Sequence, residues 1–207
     1  MRSIERLKIE VKKRTRKNDP AHDFEHIMRV YKNAQKLAKK EKANTNLVLA
    51  ATLLHDIVSF PKSDSRSKTS STKSAIEAQK ILKKYDYSND DIKIVSDAIR
   101  DHSFSKGVVP RTIEGKVLQD ADRLDALGAI GIARTFAVGG AEKRPFYSKH
   151  DTFCHIRKPD DQNWTLDHFY KKLLLLEKKM NTKTAKIEAR RRTKIMKKFL
   201  NDLKKEI

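Results

Sequence analysis

The sequence has little cysteine, glycine and proline, and it has no long apolar run. Its single cysteine, Cys154, excludes an intrachain disulfide and any metal site built from paired cysteines, including the zinc-deaminase signature. Six glycines and five prolines in 207 residues disfavour collagen-like, linker-rich and many-turned β architectures. No segment approaches the roughly 18 to 20 apolar residues of a membrane-spanning helix, and residues 1–17 lack the apolar centre of a signal peptide. We therefore predict an all-α, soluble and cytoplasmic protein that does not associate with membranes.

Positive charge is abundant. The chain has 47 basic and 27 acidic side chains, and its net charge of +20 favours an anionic partner. Nucleic acid, a nucleotide and an acidic membrane surface all have the required charge, so the sign alone does not choose among them. Most of the excess lies at the ends, because residues 171–207 hold 14 basic and 4 acidic side chains, and residues 1–18 hold 8 and 2.

Apolar residues recur at helical spacing along most of the chain. Helices are predicted over residues 3–17, 23–42, 45–58, 74–85, 88–102 and 182–203, with a further helix starting after Trp164. Residues 112–137 join an apolar run to a patch of small residues, where Gly128 and Gly131 permit close packing but weaken a helix. Irregular structure is predicted for residues 59–73 and 138–163. We expect a single domain over residues 1–207, with a core at about 20–137 and C-terminal helices at about 164–205 packed on it.

The dipeptide His-Asp occurs three times, and His55-Asp56 has the most informative surroundings. It closes the predicted helix 45–58, which is apolar nearly all round, and burying a carboxylate is costly unless it is paired or binds a metal. The alternative is an ordinary helix end, in which the imidazole bonds to a backbone carbonyl and the carboxylate faces solvent. His26, near the start of another helix, and the acidic segment 119–125 provide further ligands of the same type.

Several motifs resemble the HD-domain phosphohydrolase superfamily, and in particular its single-domain YedJ/YpgQ-like branch. They are HDFEHIMRVY (22–31), LLHDIVSFPK (53–62), DHSFS (101–105), DADRLDALGAIGIARTF (120–136) and LDHFYKKLL (166–174). The resemblance covers nearly the whole chain. It implies an all-α HD-domain helical bundle with a C-terminal helical extension.

The superfamily pattern is a histidine, an adjacent His-Asp pair and a distant aspartate. On this sequence the resemblance implies the metal ligands His26, His55, Asp56 and Asp122. Two imidazoles and two carboxylates suit Mn(II), our first choice, or Mg(II), Co(II), Ni(II) or Fe(II), and the lack of thiolates argues against a structural zinc site. Four protein ligands on an octahedral ion leave two positions, for a water and a phosphate oxygen. Asp56 is also a candidate acceptor of the water proton.

His22 and His102 resemble positions that approach the metal pocket in this superfamily. There they are candidate catalytic residues that bind phosphate, transfer a proton or complete a second metal site. The alternative for each is a histidine with a purely structural role.

Further candidates lie near the predicted ligands. Lys62, Ser70, Ser71 and Arg123 are candidate contacts to substrate phosphate, although a solvated lysine-rich loop explains the first three equally well. Asp120 and Asp125 flank Asp122 and are candidates to orient it or a histidine ligand through hydrogen bonds. The alternative is that they cap a helix or pair with arginine.

The resemblance implies a hydrolase that cleaves a phosphoester or phosphoanhydride bond of a small phosphorylated substrate, with a nucleotide as the first choice. Members of the YpgQ-like branch are associated with nucleoside triphosphate pyrophosphohydrolysis, which releases pyrophosphate. The competing hypothesis is a nucleic-acid-binding protein or nuclease that uses the basic surface. A third is an inactive metal-binding scaffold. A monomer and a homodimer are both compatible with the sequence.

Overall fold

The computed structural model describes residues 2–15, 23–60 and 64–207, and in these ranges the regular structure is helical with no strand. The α-helices are α1 (Arg2–Arg14), α2 (Phe24–Lys40), α3 (Thr45–Leu54), α4 (Ser70–Lys83), α5 (Asn89–Asp101), α6 (Ile113–Asp125), α7 (Gly128–Ala141), α8 (Asp167–Lys171) and α9 (Lys183–Glu206). The predicted all-α class is confirmed. Within the same ranges no single helix is long and apolar enough to cross a membrane, and only α6 and α7, taken together as a bent pair, reach that length and composition.

The chain divides into two compact units, Met1–Asp122 and Arg123–Ile207. In the first unit α3 is the central helix and packs against α1, α2, α4 and α5. Every residue from Leu47 to Leu54 is buried, which confirms the prediction of a core helix made from its apolar sequence. The predicted arrangement, one domain with the C-terminal helices packed on a core, stays a prediction.

Helix α2 begins with a side-chain cap that also fixes the position of a histidine. The Asp23 carboxylate accepts a hydrogen bond of 2.8 Å from the backbone N–H of His26, in the first turn. His26 lies on the buried face of α2, which continues through Ile27 and Val30. An apolar stripe at three- and four-residue spacing therefore places a polar ring in the interior.

The prediction of irregular structure over residues 59–73 is wrong in its second half. Ser65–Thr69 forms a 3₁₀ helix, and α4 begins at Ser70. The hydroxyl of Ser74 holds this polar segment in place. It accepts a hydrogen bond from the backbone N–H of Val58, at 3.1 Å, and donates one to the carbonyl of Val58, at 3.0 Å. These tertiary hydrogen bonds outweigh the weak intrinsic helix preference of serine and threonine.

The segment predicted over residues 112–137 is two helices. The break falls at Ala126 and Leu127, and Gly128 follows with a φ of +76°, a conformation that favours glycine. Gly131 lies so close to the break that a Cβ there would come within 2.2 Å of the Ala126 carbonyl oxygen. The small-residue patch thus serves a tight turn between α6 and α7.

In the second unit α7 packs on α9, and phenylalanine rings form the contact. The rings of Phe136 on α7, Phe169 on α8 and Phe199 on α9 have centroids 5.9 to 6.2 Å apart. The continuous helix expected after Trp164 is instead α8 followed by two 3₁₀ helices, Leu173–Leu175 and Glu177–Lys179, because the backbone of Lys172 leaves the helical region. The last predicted helix is present as α9.

Candidate metal centre

His55 caps the C-terminal end of α3 and is completely buried. Its Nδ1 lies 2.7 Å from the carbonyl oxygen of Thr52. Because a carbonyl oxygen only accepts hydrogen bonds, the neutral ring carries its proton on Nδ1 and exposes the Nε2 lone pair. A ring held in this way is oriented as metal-binding histidines usually are.

His26 meets His55 from the neighbouring helix. The Nε2 atoms of the two rings are 3.3 Å apart, and the ring centroids are 5.4 Å apart. If both Nε2 atoms were unprotonated, their lone pairs would repel at this distance, so the contact requires a proton or a cation between the two nitrogens. Helices α2 and α3 therefore bring together two ligands that are far apart in sequence.

Two carboxylates complete the group. Asp56 Oδ2 lies 3.7 Å from His26 Nε2 and 3.5 Å from His55 Nε2. Asp122, near the end of α6, places Oδ1 at 3.6 Å from His26 Nε2 and 4.0 Å from His55 Nε2. Both carboxylates keep some exposure, with side chains 15% and 28% accessible, so solvent and a small ligand can reach them.

These separations match the demands of one divalent ion. In octahedral coordination with bonds of about 2.1 Å, neighbouring donor atoms lie about 3.0 Å apart and opposite ones about 4.2 Å apart. The donor pairs above are separated by 3.3 to 4.0 Å. The ligand atoms of His26, His55 and Asp56 in particular all lie within 4.8 Å of one another, and this group can hold a metal ion.

The electrostatics keep the Asp122 carboxylate ionised. Burial raises the pKa of Asp122, but the positive charge that His26 and His55 can carry outweighs that effect, and the pKa lies below its ordinary value. An ionised carboxylate is the form that binds a cation. The neighbouring imidazoles thus favour the ionised form of Asp122.

His102 forms the wall of the site on the side of α5. It caps the end of that helix, is buried, and places Nδ1 2.6 Å from the carbonyl oxygen of Ile99. Burial, followed by the neighbouring His55, lowers the pKa of His102, so its ring is neutral and its Nε2 has a free lone pair. That Nε2 lies 3.8 Å from Asp56 Oδ1. Asp56 therefore presents one oxygen to the two ligand histidines and the other to His102.

Two side-chain amides hold the backbone next to site residues, a role that was not predicted from the sequence. The side-chain NH₂ of Asn33 on α2 donates to the carbonyl of Ala121, at 3.3 Å, directly before Asp122. The NH₂ of Gln119 on α6 donates to the carbonyls of Asp101, directly before His102, and Val108, both at 2.9 Å. A polar side chain within an apolar helical stretch was the available signal, but its partner was not predictable from spacing.

The predicted phosphate contacts are placed unevenly. Ser70 and Ser71 lie in the first turn of α4, with Ser70 partly exposed and Ser71 buried. Lys62 and the candidate catalytic residue His22 lie outside the described residues. The surroundings of Phe60 were not predicted from the sequence: its ring has the Arg66 guanidinium at 4.7 Å and the Lys73 ammonium at 4.9 Å. These cations lie on the segment between α3 and α4 and at the start of α4.

The remaining candidates follow Asp122 along α6 or precede it. Arg123 is buried, and its Nη1 donates to the backbone carbonyl of Lys179. Asp125 is buried and pairs with Arg134, Oδ2 to Nη1, at 2.9 Å, which is the arginine contact that the sequence left open. Asp120 is completely buried. A phosphate-binding role for Arg123 and an orienting role for Asp120 and Asp125 stay predictions.

Comparison with known proteins is consistent with this geometry. The HD domain family matches residues 23–127, a span that contains all four predicted ligands. The chain belongs to the HD domain family. The predicted family is thereby confirmed, and the chain has the fold of HD-superfamily hydrolases.

The relatives are similar over nearly their whole length. The uncharacterized protein YpgQ of Bacillus subtilis is 35% identical over 190 residues, which are 90% of this chain and 84% of YpgQ. The crystal structure of YpgQ in complex with ADP has a TM-score of 0.76 at 32% identity, covering 100% of this chain and 95% of that one. An HD-superfamily hydrolase from Bacillus thuringiensis has a TM-score of 0.76 at 36% identity, covering 99% and 96%.

Proposed function

We propose that this HD-domain protein is a metal-dependent phosphohydrolase that cleaves a phosphorus–oxygen bond in a small phosphorylated substrate, namely a nucleotide. The observation that carries the proposal is the convergence of two histidine Nε2 atoms, 3.3 Å apart in His26 and His55, with the carboxylates of Asp56 and Asp122, each 3.5 to 4.0 Å from both, in a fold shared with HD-superfamily hydrolases. The cytoplasm is the location we propose, since nucleotides are abundant there.

The four donors are nitrogen and oxygen atoms, without thiolate. This set favours Mn(II), with Mg(II), Co(II), Ni(II) and Fe(II) as the alternatives. When bound, such an ion lowers the pKa of a water and polarises a phosphoryl oxygen. The protein side chains would hold the ion in place, because His55 is fixed by its bond to Thr52 and the backbone of His26 is fixed by the Asp23 cap of α2.

His102 is suited to accept a proton. Its Nδ1 is engaged with the carbonyl of Ile99, so its basic Nε2 faces the centre. Asp56 Oδ1, 3.8 Å away, stabilises the imidazolium that forms when His102 takes up a proton. We assign His102 the role of general base towards the attacking water, and Asp56 the joint role of ligand and electrostatic partner.

The substrate phosphates require cations beside the metal centre. Arg66 and Lys73 both lie about Phe60, on the segment that follows Asp56, and Ser70 and Ser71 begin α4 in the same segment. We propose that this segment binds the phosphate groups, together with Lys62. The complex of YpgQ with ADP supports a nucleotide as the substrate. Release of pyrophosphate from a nucleoside triphosphate is the specific reaction we favour.

The test is the release of phosphate and of pyrophosphate from nucleoside mono-, di- and triphosphates, with each of Mn(II), Mg(II), Co(II) and Ni(II). The wild type is compared with His55→Ala combined with Asp56→Ala. His150→Ala is the matched control, because His150 belongs to another His-Asp dipeptide and is exposed. We expect activity in the wild type and the control, and none in the double variant.

The products identify which phosphorus–oxygen bond is cleaved. Pyrophosphate with a nucleoside monophosphate indicates a pyrophosphohydrolase, whereas inorganic phosphate indicates a phosphatase. Activity that survives in the double variant with its metal content unchanged would contradict the proposal. Absence of activity in the metal-loaded wild type against the whole panel would contradict it equally.

A further inference from the structure

The exposed face of α9 carries a concentrated positive charge. The helix contains ten basic and three acidic side chains. Its opposite face is fixed by packing within the second unit, because Ala185, Ala189, Thr193, Met196 and Leu200 are buried. The helical period therefore places the basic side chains together, facing solvent.

The arginines of α9 are already paired. Arg191 and Arg192 bind the Glu188 carboxylate at 2.7 Å, and Arg190 lies 3.6 Å from Glu177. Most lysines of α9, in contrast, are not paired with a carboxylate in the described part of the chain. The following are exposed and have no carboxylate partner among the residues that the structure describes: Lys183, Lys186, Lys194, Lys197 and Lys204.

These lysines form an extended row, which we call the α9 lysine row. From Lys183 to Lys204 the helix rises about 31 Å, at about 1.5 Å per residue. Most of these lysines have another basic residue three or four positions away in sequence. This arrangement destabilises a helix through like-charge repulsion. An ordinary solvated helix reduces this repulsion with interspersed glutamates, and the centre of this row has none.

We propose that the α9 lysine row binds the phosphodiester backbone of nucleic acid without reading its sequence. A strand has one phosphate per about 3.4 Å of helix axis, so the length of the row corresponds to roughly nine nucleotides. Lysine contacts phosphate as a compact point charge, whereas base recognition favours the bidentate guanidinium of arginine. The guanidinium groups of α9 are held by glutamates, and the free cations are lysines.

An anionic membrane fits the same helix less well. Helices that lie on a membrane bury a continuous apolar face in the lipid. The apolar face of α9 is already buried in its own unit. Of the large apolar side chains of α9, only Ile187 and Ile195 are exposed. This inference goes beyond the proposed hydrolase and requires neither the metal nor the nucleotide.

The experiment uses the full chain with lysine changed to glutamine at 183, 186, 194 and 197. Glutamine has a helix propensity close to that of lysine, so α9 is expected to persist. The matched control changes Lys32, Lys36, Lys39 and Lys40 to glutamine, because these α2 lysines are also exposed and have no carboxylate partner in the described part of the chain. Both variants lose the same four charges. A second α9 variant, with arginine at the same four positions, keeps the charge.

Fluorescence anisotropy with a labelled 30-nucleotide single strand and a 30-base-pair duplex measures affinity from about 50 to 200 mM salt. We expect dissociation constants of roughly 1 to 100 µM for the wild type at physiological salt. In the glutamine variant of α9 we expect affinity for the duplex to fall at least about tenfold, and the slope of log K against log salt to shrink by about 3 to 4. The control and the arginine variant should bind like the wild type.

Three results overturn the proposal. The first is no binding by the wild type to either probe, and the second is equal weakening in the α9 and α2 variants. The third is binding only to phosphatidylserine vesicles, lost in the α9 variant, which assigns the row to a membrane. Circular dichroism confirms folding of every variant. Nucleotide hydrolysis is expected to be unchanged in every variant, so failure of the nucleic-acid proposal is distinguishable from failure of the proposed hydrolase.

Discussion

The Nε2 atoms of His26 and His55 lie 3.3 Å apart, although 29 positions separate the two residues in sequence. Neither helix holds this arrangement alone, because α2 supplies one ring and the end of α3 supplies the other. Packing of the core therefore brings two nitrogens into a position where a proton or a proposed metal ion between them would be stabilised.

The first prediction concerns metal and stability. With Mn(II) at about 100 times its dissociation constant, linkage stabilises the protein by about 2.7 kcal/mol. For a chain of this size we expect the melting temperature to rise by about 5 to 10 °C. Thermal unfolding of the metal-free and Mn(II)-loaded protein measures this shift. His26→Ala should abolish it and His150→Ala should retain it, and an equal shift in both would show that the ion binds elsewhere.

The second prediction separates proton transfer from metal binding. His102→Gln removes the basic Nε2 near Asp56 but leaves His26 and His55 in place. We expect kcat to fall by about 10² to 10⁴, the range typical of a lost general base, with the metal content unchanged. Kinetics and elemental analysis on the same samples test it. If the metal leaves together with the activity, His102 is a ligand instead.

A third prediction concerns Gln119, whose amide bonds the carbonyls of Asp101 and Val108 from a completely buried position. Gln119→Ala leaves these carbonyls without that donor and should destabilise the protein by about 1 to 3 kcal/mol. It should also reduce the activity, since Asp101 directly precedes His102. Urea unfolding gives the first quantity. Gln162→Ala is the control, because Gln162 is exposed and its change should matter by less than about 0.5 kcal/mol.

Two glycines of α7 should respond to alanine in opposite directions. At Gly131 the added Cβ would lie 2.2 Å from the backbone oxygen of Ala126, which cannot move freely, so we expect a loss of about 1 to 3 kcal/mol. At Gly140 a Cβ meets nothing within 4 Å, and we expect a gain of up to about 1 kcal/mol. Denaturant midpoints measure both. Equal effects would contradict the tight turn between α6 and α7.

The fifth prediction concerns acid stability through Asp151. Its carboxylate accepts hydrogen bonds from the backbone N–H groups of Arg157, Ile156 and His155 at 2.9 to 3.0 Å, and these bonds lower its pKa to about 2. In the unfolded chain the group titrates near its ordinary value of about 3.9. Its stabilising contribution is therefore complete above roughly pH 4 to 5 and is lost as the pH falls through about 2.

Asp151→Asn should accordingly lower the melting temperature at pH 7, and the difference from the wild type should narrow as the pH falls from 4 towards 2. Thermal unfolding of both proteins across this range measures the difference. A gap that stays constant from pH 7 to pH 2 would mean that the charge of Asp151 contributes no stability.

Much of the first unit was predictable from local patterns. The apolar sequence of α3 predicted a buried helix, and the helix predicted over residues 88–102 is present as α5, where the Ser88 hydroxyl accepts from the Asp91 N–H at 3.2 Å as the cap. The family resemblance, rather than a local pattern, predicted that His26, His55, Asp56 and Asp122 share one site. The structure places the Asp56 and Asp122 carboxylates within 4.0 Å of both histidine Nε2 atoms, and the role of the four residues as ligands stays a prediction.

The errors arise where distant contacts decide local structure. The start of α4 depends on Ser74 bonding to Val58, and a serine-rich segment alone predicts a loop. The amide of Asn33 finds its acceptor 88 positions away, which no period along the chain reveals. Helix α7 ends at Ala141 rather than Ala137 and so includes Gly139 and Gly140, although glycine weakens a helix intrinsically.

Helices α3 and α5 both end at the candidate metal centre, with His55 and His102 as their caps. The carbonyl end of an α-helix carries roughly half a negative charge, so two such ends add a negative potential to that of Asp56 and Asp122. This potential attracts a divalent cation and repels a phosphate group. We therefore expect an ordered association, in which the cation enters first and reverses the local sign, and the nucleotide follows.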